Sequence, residues 1–521
     1  MSQDTDIRAA DPVLGRLADA ILIPPFPDSS APGWILRALG RGLGGVTLFG
    51  QNIVAPGQVS ALTADLRAAA ADHDPVIAID EEGGDVTRVA YSDGSPYPGN
   101  AALGAVDDVL LTQAVHRAIG LDLAALGINF NLAPCADVLG TADSPAVGTR
   151  SFGADTALVS RHTAAAVAGL QSAGVAACTK HFPGHGRTST DSHDAIATIE
   201  GSLAELRLVD LPPFEAAIRA GSIGIMPSHL RVPELTGDLP ATVSAAAITG
   251  LLRGELGFTG VIVSDALEMR ATRDMFGIPG AAVLAVAAGT DLLCLGREGS
   301  EAEYLAVREA LVAAVRDGEL DGARLEEAAD RVARLRGGLA RARSSGLTGA
   351  GLSGAGLSGA GLSGAGPGVG LVAARRAVRI SGPQRTLDRP VIIEVEPREN
   401  IAAGQFGWGL GPWAPPGSVH RVSSSGQPVN GVSDAAEPGD DAVAGILATA
   451  AGRSLVVAVR DAHRDQQTLS LVGTLLAARP DLVLVEMGLP FWHPPEGTSY
   501  LATYGASRAS AHVAAELLGL T

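Results

Sequence analysis

Seven short apolar runs alternate with Ala- and Leu-rich stretches over the first two thirds of the chain. No other feature constrains the fold as strongly. The runs are GVTLFG (45–50), PVIAIDEEGG (75–84), INFNLAPCADV (128–138), VAACTKHF (175–182), IGIMPSHL (223–230), GVIVSDAL (260–267) and TDLLCLG (290–296). Between them lie helix-like stretches such as 156–173, 203–220 and 279–289. Strands that alternate with helices predict βαβ units around a parallel sheet. Seven or eight such units in about 340 residues predict a (β/α)8 barrel of the TIM type. AILIPPF (20–26) is the candidate for the remaining strand.

Polar residues fall in a pattern that fits a barrel. Asp80, Asp137, Lys180–His181, His229 and Asp265 each stand at the C-terminal end of an apolar run. That end of a barrel carries the active site. Five strands finishing this way would gather their side chains around one mouth.

A boundary follows. Residues 346–365 read GLTGA, GLSGA, GLSGA, GLSGA. Such a composition cannot offset the entropy of ordering and is expected to be a flexible linker. Its reach is about 25 Å, from ~5–6 Å times the square root of its length. A glycine-rich phosphate loop would need a strand before it and a helix after it, and the repeat supplies neither. Beyond it, PVIIEVE (390–396), SLVVAVR (454–460) and DLVLVEMG (481–488) read as buried strands, with helical stretches at 441–451, 465–478 and 506–519. The expected organisation is a catalytic barrel over 1–345, a linker over 346–369 and a smaller three-layer α/β domain over 370–521. His463, Trp492 and His493 of the last part read as structural or surface residues.

Charge and cysteines narrow the function classes. The net charge of 38 − 56 = −18 disfavours nucleic acid or an anionic membrane as a non-specific partner. Cys135, Cys178 and Cys294 each sit inside an apolar run and read as small buried hydrophobes rather than a disulfide framework. The first twenty residues lack a basic-then-apolar leader, and no apolar run reaches the roughly 18 residues that span a bilayer. A cytoplasmic protein is expected, with no obligate protein partner evident.

The segment KHFPGHGRTSTDSHDA (180–195) concentrates His181, His185 and His193. Three chemistries compete for it. His181, His185, His193 and Asp191 are metal-ligand types. Pro183 and two glycines, however, break any helix that would align them. A phosphate loop lacks its Gly-Lys-Ser/Thr order. The third is an acid–base device: Asp191 beside His193 can fix the imidazole tautomer and stabilise its protonated form. The glycines would let that loop move on substrate binding.

KHFPGHGRTSTDSH, followed about seventy residues later by GVIVSDALEM, resembles glycoside hydrolase family 3, and within it the β-N-acetylglucosaminidase (β-hexosaminidase) branch. IDEEGGDVTR (79–88) and VGTRSFG (147–153) resemble that branch's sugar-binding segments, and the likeness runs across most of 15–340. The tail 502–519 more loosely resembles the end of the second domain of longer members. The resemblance implies a retaining exo-β-N-acetylglucosaminidase acting on a small carbohydrate, with peptidoglycan fragments as the substrate class and no cofactor or metal. It implies Asp265 as nucleophile and the Asp191–His193 pair as acid/base. Asp80, Arg88, Arg150, Lys180 and His181 would hold the terminal sugar. From the residues alone, Asp265 could instead be a helix N-cap and Lys180 a structural ion pair. Phe152 and Phe182 read as packing, and His185 as a hydrogen bonder that shapes the loop. Two positions depart from the pattern. Relatives often carry a basic residue where this chain has Asp85, which is expected to bear on preference for an acidic aglycone. Ala266 stands in SDAL where they read SDDL, a place not needed for attack. A phosphorylase, with phosphate as acceptor, and a weakly catalytic sugar-binding protein remain as alternatives.

Overall fold

The computed structural model describes residues 11–70, 73–140, 144, 146–188, 196–297, 299–344, 368–397, 404, 407–427 and 440–521. The expected linker over 346–365 lies outside them.

All eight expected runs of the first part form strands: β1 (Leu22–Ile23), β2 (Gly45–Leu48), β3 (Val76–Ile79), β4 (Phe130–Asn131), β5 (Ala176–Phe182), β6 (Gly224–Pro227), β7 (Val261–Ile262) and β8 (Leu293–Cys294). β2 to β7 pair in order and in parallel, and β1 pairs in parallel with β8. Backbone bonds close the ring. Leu292 N donates to Ile262 O (3.0 Å), Ser264 N to Leu292 O (2.9 Å) and Thr47 N to Pro24 O (3.3 Å). The barrel is filled rather than hollow: Val46, Leu48, Ile77, Ile79, Phe130 and Leu293 are all fully buried.

The helices between the strands start where the sequence offers caps. Asp155 accepts from Leu158 N at the head of Thr156–Ser172, and Ser202 with Glu205 forms a capping box on Leu203–Val209. The stretch expected as one helix over 203–220 is two, because Pro212 and Pro213 open a second helix, Leu211–Arg219. The stretch 279–289 belongs to Arg270–Ala288, which bends at Gly277 just before Pro279. Among the described residues, no single helix is long and apolar enough to cross a membrane.

The second sheet has six strands: β9 (Arg379–Ser381), β10 (Val391–Val395), β11 (Val419–Val422), β12 (Leu455–Val459), β13 (Val483–Glu486) and β14 (Ser499–Ala502). Their order is β11-β10-β12-β13-β14-β9, parallel except for the β14–β9 pair. Side chains of alternate residues enter opposite apolar layers. Ile393, Val457 and Leu484 pack with Leu471 and Leu475 of the helix Gln466–Ala478. Ile392, Val456 and Val485 pack with Ala511 and Ala514 of the helix Arg508–Leu517. That makes a three-layer α/β sandwich on a (β/α)8 barrel.

The sandwich sits directly on the barrel. The helix Gly368–Ala377 lies so close to the loop before Asn100 that a Cβ on Gly370 would come 2.1 Å from Pro96 O. Arg376 Nη1 reaches Asp108 Oδ2 at 2.7 Å. Val86 of the barrel is buried in the sandwich's own apolar layer, beside Trp408, Leu410 and Ala506.

Candidate active site

Strand β3 ends at Ile79, and the chain turns through Asp80-Glu81-Glu82-Gly83-Gly84 across the barrel mouth. Two features fix this turn. The Asn131 side chain, at the end of β4, accepts from Glu81 N (3.0 Å) and donates to Glu81 O (2.8 Å). Gly84 has φ +61°, and a Cβ there would come 2.5 Å from Gly99 Cα, so only glycine fits.

Lys180, on β5, is buried between two carboxylates of this turn. Its Nζ bonds Asp80 Oδ1 and lies 2.9 Å from Glu82 Oε1. Burial alone would pull the ammonium down; Asp80 and Glu82 outweigh it and keep the charge. Glu82 in turn is gripped by Arg150, with Nε to Oε2 at 3.0 Å and Nη2 to Oε1 at 2.7 Å. Burial would raise Glu82, but Arg150 and Lys180 hold it well below the usual carboxylate range. Arg150 Nη2 also lies 3.2 Å from His181 Nε2.

Asp137 orients His181. Its Oδ2 lies 2.7 Å from His181 Nδ1 and accepts from the Cys135 thiol (3.0 Å). Its Oδ1 accepts from the amides of His181 (3.2 Å) and His185 (2.7 Å). The ring is thereby fixed, with Nδ1 turned to Asp137 and Nε2 turned to Arg150. His181 and its neighbours hold Asp137 below its ordinary range despite complete burial. Cys135, Asp137 and His181 place ligand-type atoms within 4.8 Å of one another. Each already bonds another of the three, and burial, then Asp137, keeps the Cys135 thiol protonated, whereas a metal takes the thiolate.

Asp265 lies three residues past β7, partly exposed at the same mouth. Its Oδ1 accepts from Ala266 N at 2.8 Å. The helix that follows begins only at Arg270, with Met269 in the cap position, so Asp265 is not its N-cap. His229, past β6, bonds Thr242 Oγ1 through Nδ1 (2.9 Å) and the Ala266 carbonyl through Nε2 (2.9 Å), bracing the turn after Asp265. Asp80 and Asp265 both act on the buried thiols of Cys178 (β5) and Cys294 (β8). Burial first, then these carboxylates among other groups, pushes Cys294 up to about 12.

The other expected site residues are less closely knit. The Arg88 amide donates to Glu81 Oε2 at 2.8 Å, which ties the return of the turn to its start. Asp191 and His193 lie outside the described residues. The loop that carries them is anchored at its root. His185 Nδ1 lies 2.9 Å from Thr188 Oγ1, Arg187 Nε donates to Asp210 at 2.9 Å, and a Cβ on Gly186 would fall 2.1 Å from Val138 O. Phe152 and Phe182 are buried packing residues.

Asp85 corrects an expectation. It does not face an aglycone: it is 6% exposed and its carboxylate is consumed by three donors, Thr149 Oγ1 (2.8 Å), Arg460 Nη2 (3.1 Å) and Ala506 N (2.8 Å). Two residues escaped the sequence reading. Glu82 lies inside the IDEEGGDVTR segment but is not among the sugar-holding residues expected there. Asp137 is expected only as one of the five polar strand ends at the mouth. The signal for both was an acid beside the apolar end of a strand, where an unpaired charge would not be tolerated.

A closed parallel barrel with buried ion pairs and a carboxylate at its C-terminal mouth is the layout of a barrel enzyme. A family model for the glycosyl hydrolase family 3 N terminal domain matches residues 37–335. Beta-hexosaminidase of Stenotrophomonas maltophilia (strain K279a) is 39% identical over 254 residues, covering 48% of this chain and 75% of that protein. Beta-hexosaminidase A of Pseudoalteromonas piscicida is 36% identical over 270 residues, 48% of this chain and 45% of that protein, so the match spans less than half of that longer relative. The solved structure of a glycoside hydrolase family 3 beta-N-acetylglucosaminidase from Paenibacillus sp. str. FPU-7 is similar over 97% of both chains, with a TM-score of 0.83 and 31% identity. The chain belongs to glycoside hydrolase family 3, and with it to the glycoside hydrolases.

Proposed function

We propose that this chain is a retaining, exo-acting β-N-acetylglucosaminidase that releases terminal β-linked N-acetylglucosamine from peptidoglycan-derived fragments. One observation supports the reading: Asp265, past the end of β7, and the Asp80–Lys180–Glu82–Arg150–His181 network, at the ends of β3 and β5, lie at the same C-terminal end of the parallel barrel. The network offers charged donors and acceptors to the hydroxyls of a sugar, and Asp265 offers a carboxylate to its anomeric carbon. The relatives above are named beta-hexosaminidases. In this mechanism Asp265 displaces the aglycone and forms a glycosyl-enzyme. His193, charged and oriented by Asp191, protonates the leaving oxygen and then deprotonates the attacking water. Two displacements retain the configuration. Asp80, Arg88, Arg150, Lys180 and His181 hold the sugar. A cytoplasmic location belongs to the same reading and is tested by cell fractionation.

The deciding experiment compares a chromogenic N-acetylglucosaminide with the matching glucoside, each with and without phosphate. Hydrolysis of the first without a phosphate requirement is expected; phosphate-dependent turnover would favour a phosphorylase. A 2-fluoro sugar should label Asp265, and Asp265→Asn should lower kcat by several orders of magnitude with the fold intact. Label on another carboxylate overturns the assignment.

A further inference from the structure

We propose that Asp85 is a positioning residue through which the second domain sets the sugar-gripping face of the barrel, an inference that rests on the sugar site just proposed. Two parallel rungs join the turn after β3 to the segment 149–150. Glu82 holds Arg150 by two bonds, and Asp85, three residues on, holds the Thr149 hydroxyl. Arg150 is therefore set by its own ion pair and by the carboxylate bonded to the residue before it. Glu82 also bonds Lys180, which ties the inner rung to β5.

The second domain fixes the outer rung from behind. Asp85 Oδ1 accepts from Ala506 N, and Oδ2 accepts from Arg460. Arg460 is held in place over the Trp408 ring, 5.5 Å from its centroid. Val86, next in the chain, is 2% exposed and packs among Trp408, Leu410 and Ala506. Residues of both domains, Asp85, Thr149 and Arg150 from the barrel and Arg460 and Arg464 from the sandwich, line one cleft at this junction. Asp85 touches no reacting atom in this account. A buried carboxylate whose three donors come from two domains transmits the seating of one domain to the side chains of the other. Without the second domain, Asp85 would lose two of its three donors and its negative charge would be left partly unpaired beside Glu82.

The test is steady-state kinetics of the full chain on a chromogenic glycoside. Asp85→Ala should raise KM about tenfold while kcat stays within about threefold, the signature of lost ground-state and transition-state binding in equal measure. Asp85→Asn should raise KM less, since its amide oxygen still accepts from Ala506 N. Arg460→Met should also raise KM, and the double variant Asp85→Ala/Arg460→Met should be no worse than the stronger single one, because both cut the same link. Counting active sites with the 2-fluoro sugar separates positioning from misfolding. A folding defect lowers the number of sites and leaves KM unchanged, and that outcome overturns the proposal. So does wild-type KM in Asp85→Ala. If the wild-type enzyme prefers the glucoside, the N-acetylglucosaminide reading fails, and the same KM comparison made on the glucoside still decides the role of Asp85.

Discussion

Glu82 serves two cations at once, and its energetics follow from that. It is buried, it neutralises Arg150 and Lys180, and its folded pKa lies below the ordinary 4.5. A carboxyl with a depressed folded pKa adds stability that is present above its unfolded value and lost as pH falls toward the folded one. Asp137, with an ordinary value of 3.8, has the same sign. These two groups should therefore contribute stability that is lost progressively as pH falls below about 5. Glu82→Gln should flatten that slope in thermal unfolding measured across the range. At neutral pH the same substitution should cost ~3–5 kcal/mol, because it leaves buried cations short of a charge. An unchanged acid slope in Glu82→Gln would remove Glu82 from this account. The sequence marks Glu82 only as an acid close to the apolar end of a strand. Its partners are supplied only by the fold, which brings Lys180 from β5 and Arg150 from the loop after β4 onto it.

The loop after β5 shows how far element-level reading reaches. Its strand, its glycines and its polar side chains were legible, because an apolar run ending in Lys-His is a sharp change of pattern. All eight barrel strands were legible for the same reason, being apolar on both faces and punctuated by polar ends. In the second domain β10, β12 and β13 were equally plain. β9 and β11 were not: they are edge strands, Arg379–Ser381 is exposed throughout and Val419–Val422 is buried only at its end, so neither carries an apolar run. β14 is buried but reads Ser-Tyr-Leu-Ala, too mixed to announce itself. The loop makes its own prediction. Its root is held by Asp137, Asp210 and Val138, and Asp191 and His193 follow in the chain. A departing alkoxide needs a proton, whereas an activated aryl leaving group does not. His193→Ala should therefore slow poor leaving groups far more than activated aryl glycosides, with Asp191→Ala showing the same trend more mildly. EDTA should change nothing. Equal loss on both substrate classes, or inactivation by EDTA, would restore the metal reading of the three histidines.

At the scale of the whole molecule, the contacts that matter most join residues hundreds of positions apart. Asp85 meets Arg460 and Ala506 across 375 and 421 positions of sequence, which no local pattern can announce. The sequence predicted a tethered second domain with every site residue on the barrel side of the tether. The structure adds that the second domain is seated on the barrel by buried apolar and charged contacts: Val86 in its apolar layer, Asp85 at Arg460, and Leu489 packed with Ala101 and Leu139. Those contacts, not the peptide between 346 and 365, should hold the two parts together. The Gly/Ala/Ser composition of that stretch makes it the expected first site of proteolysis. Limited proteolysis should therefore nick the chain there and leave two fragments that co-elute in gel filtration. The nicked protein should keep the KM and kcat of the intact chain. If the fragments separate on nicking, KM should rise as it does in Asp85→Ala. Separation with an unchanged KM would show that the barrel sets its own sugar site and that the seating of the second domain is irrelevant to it.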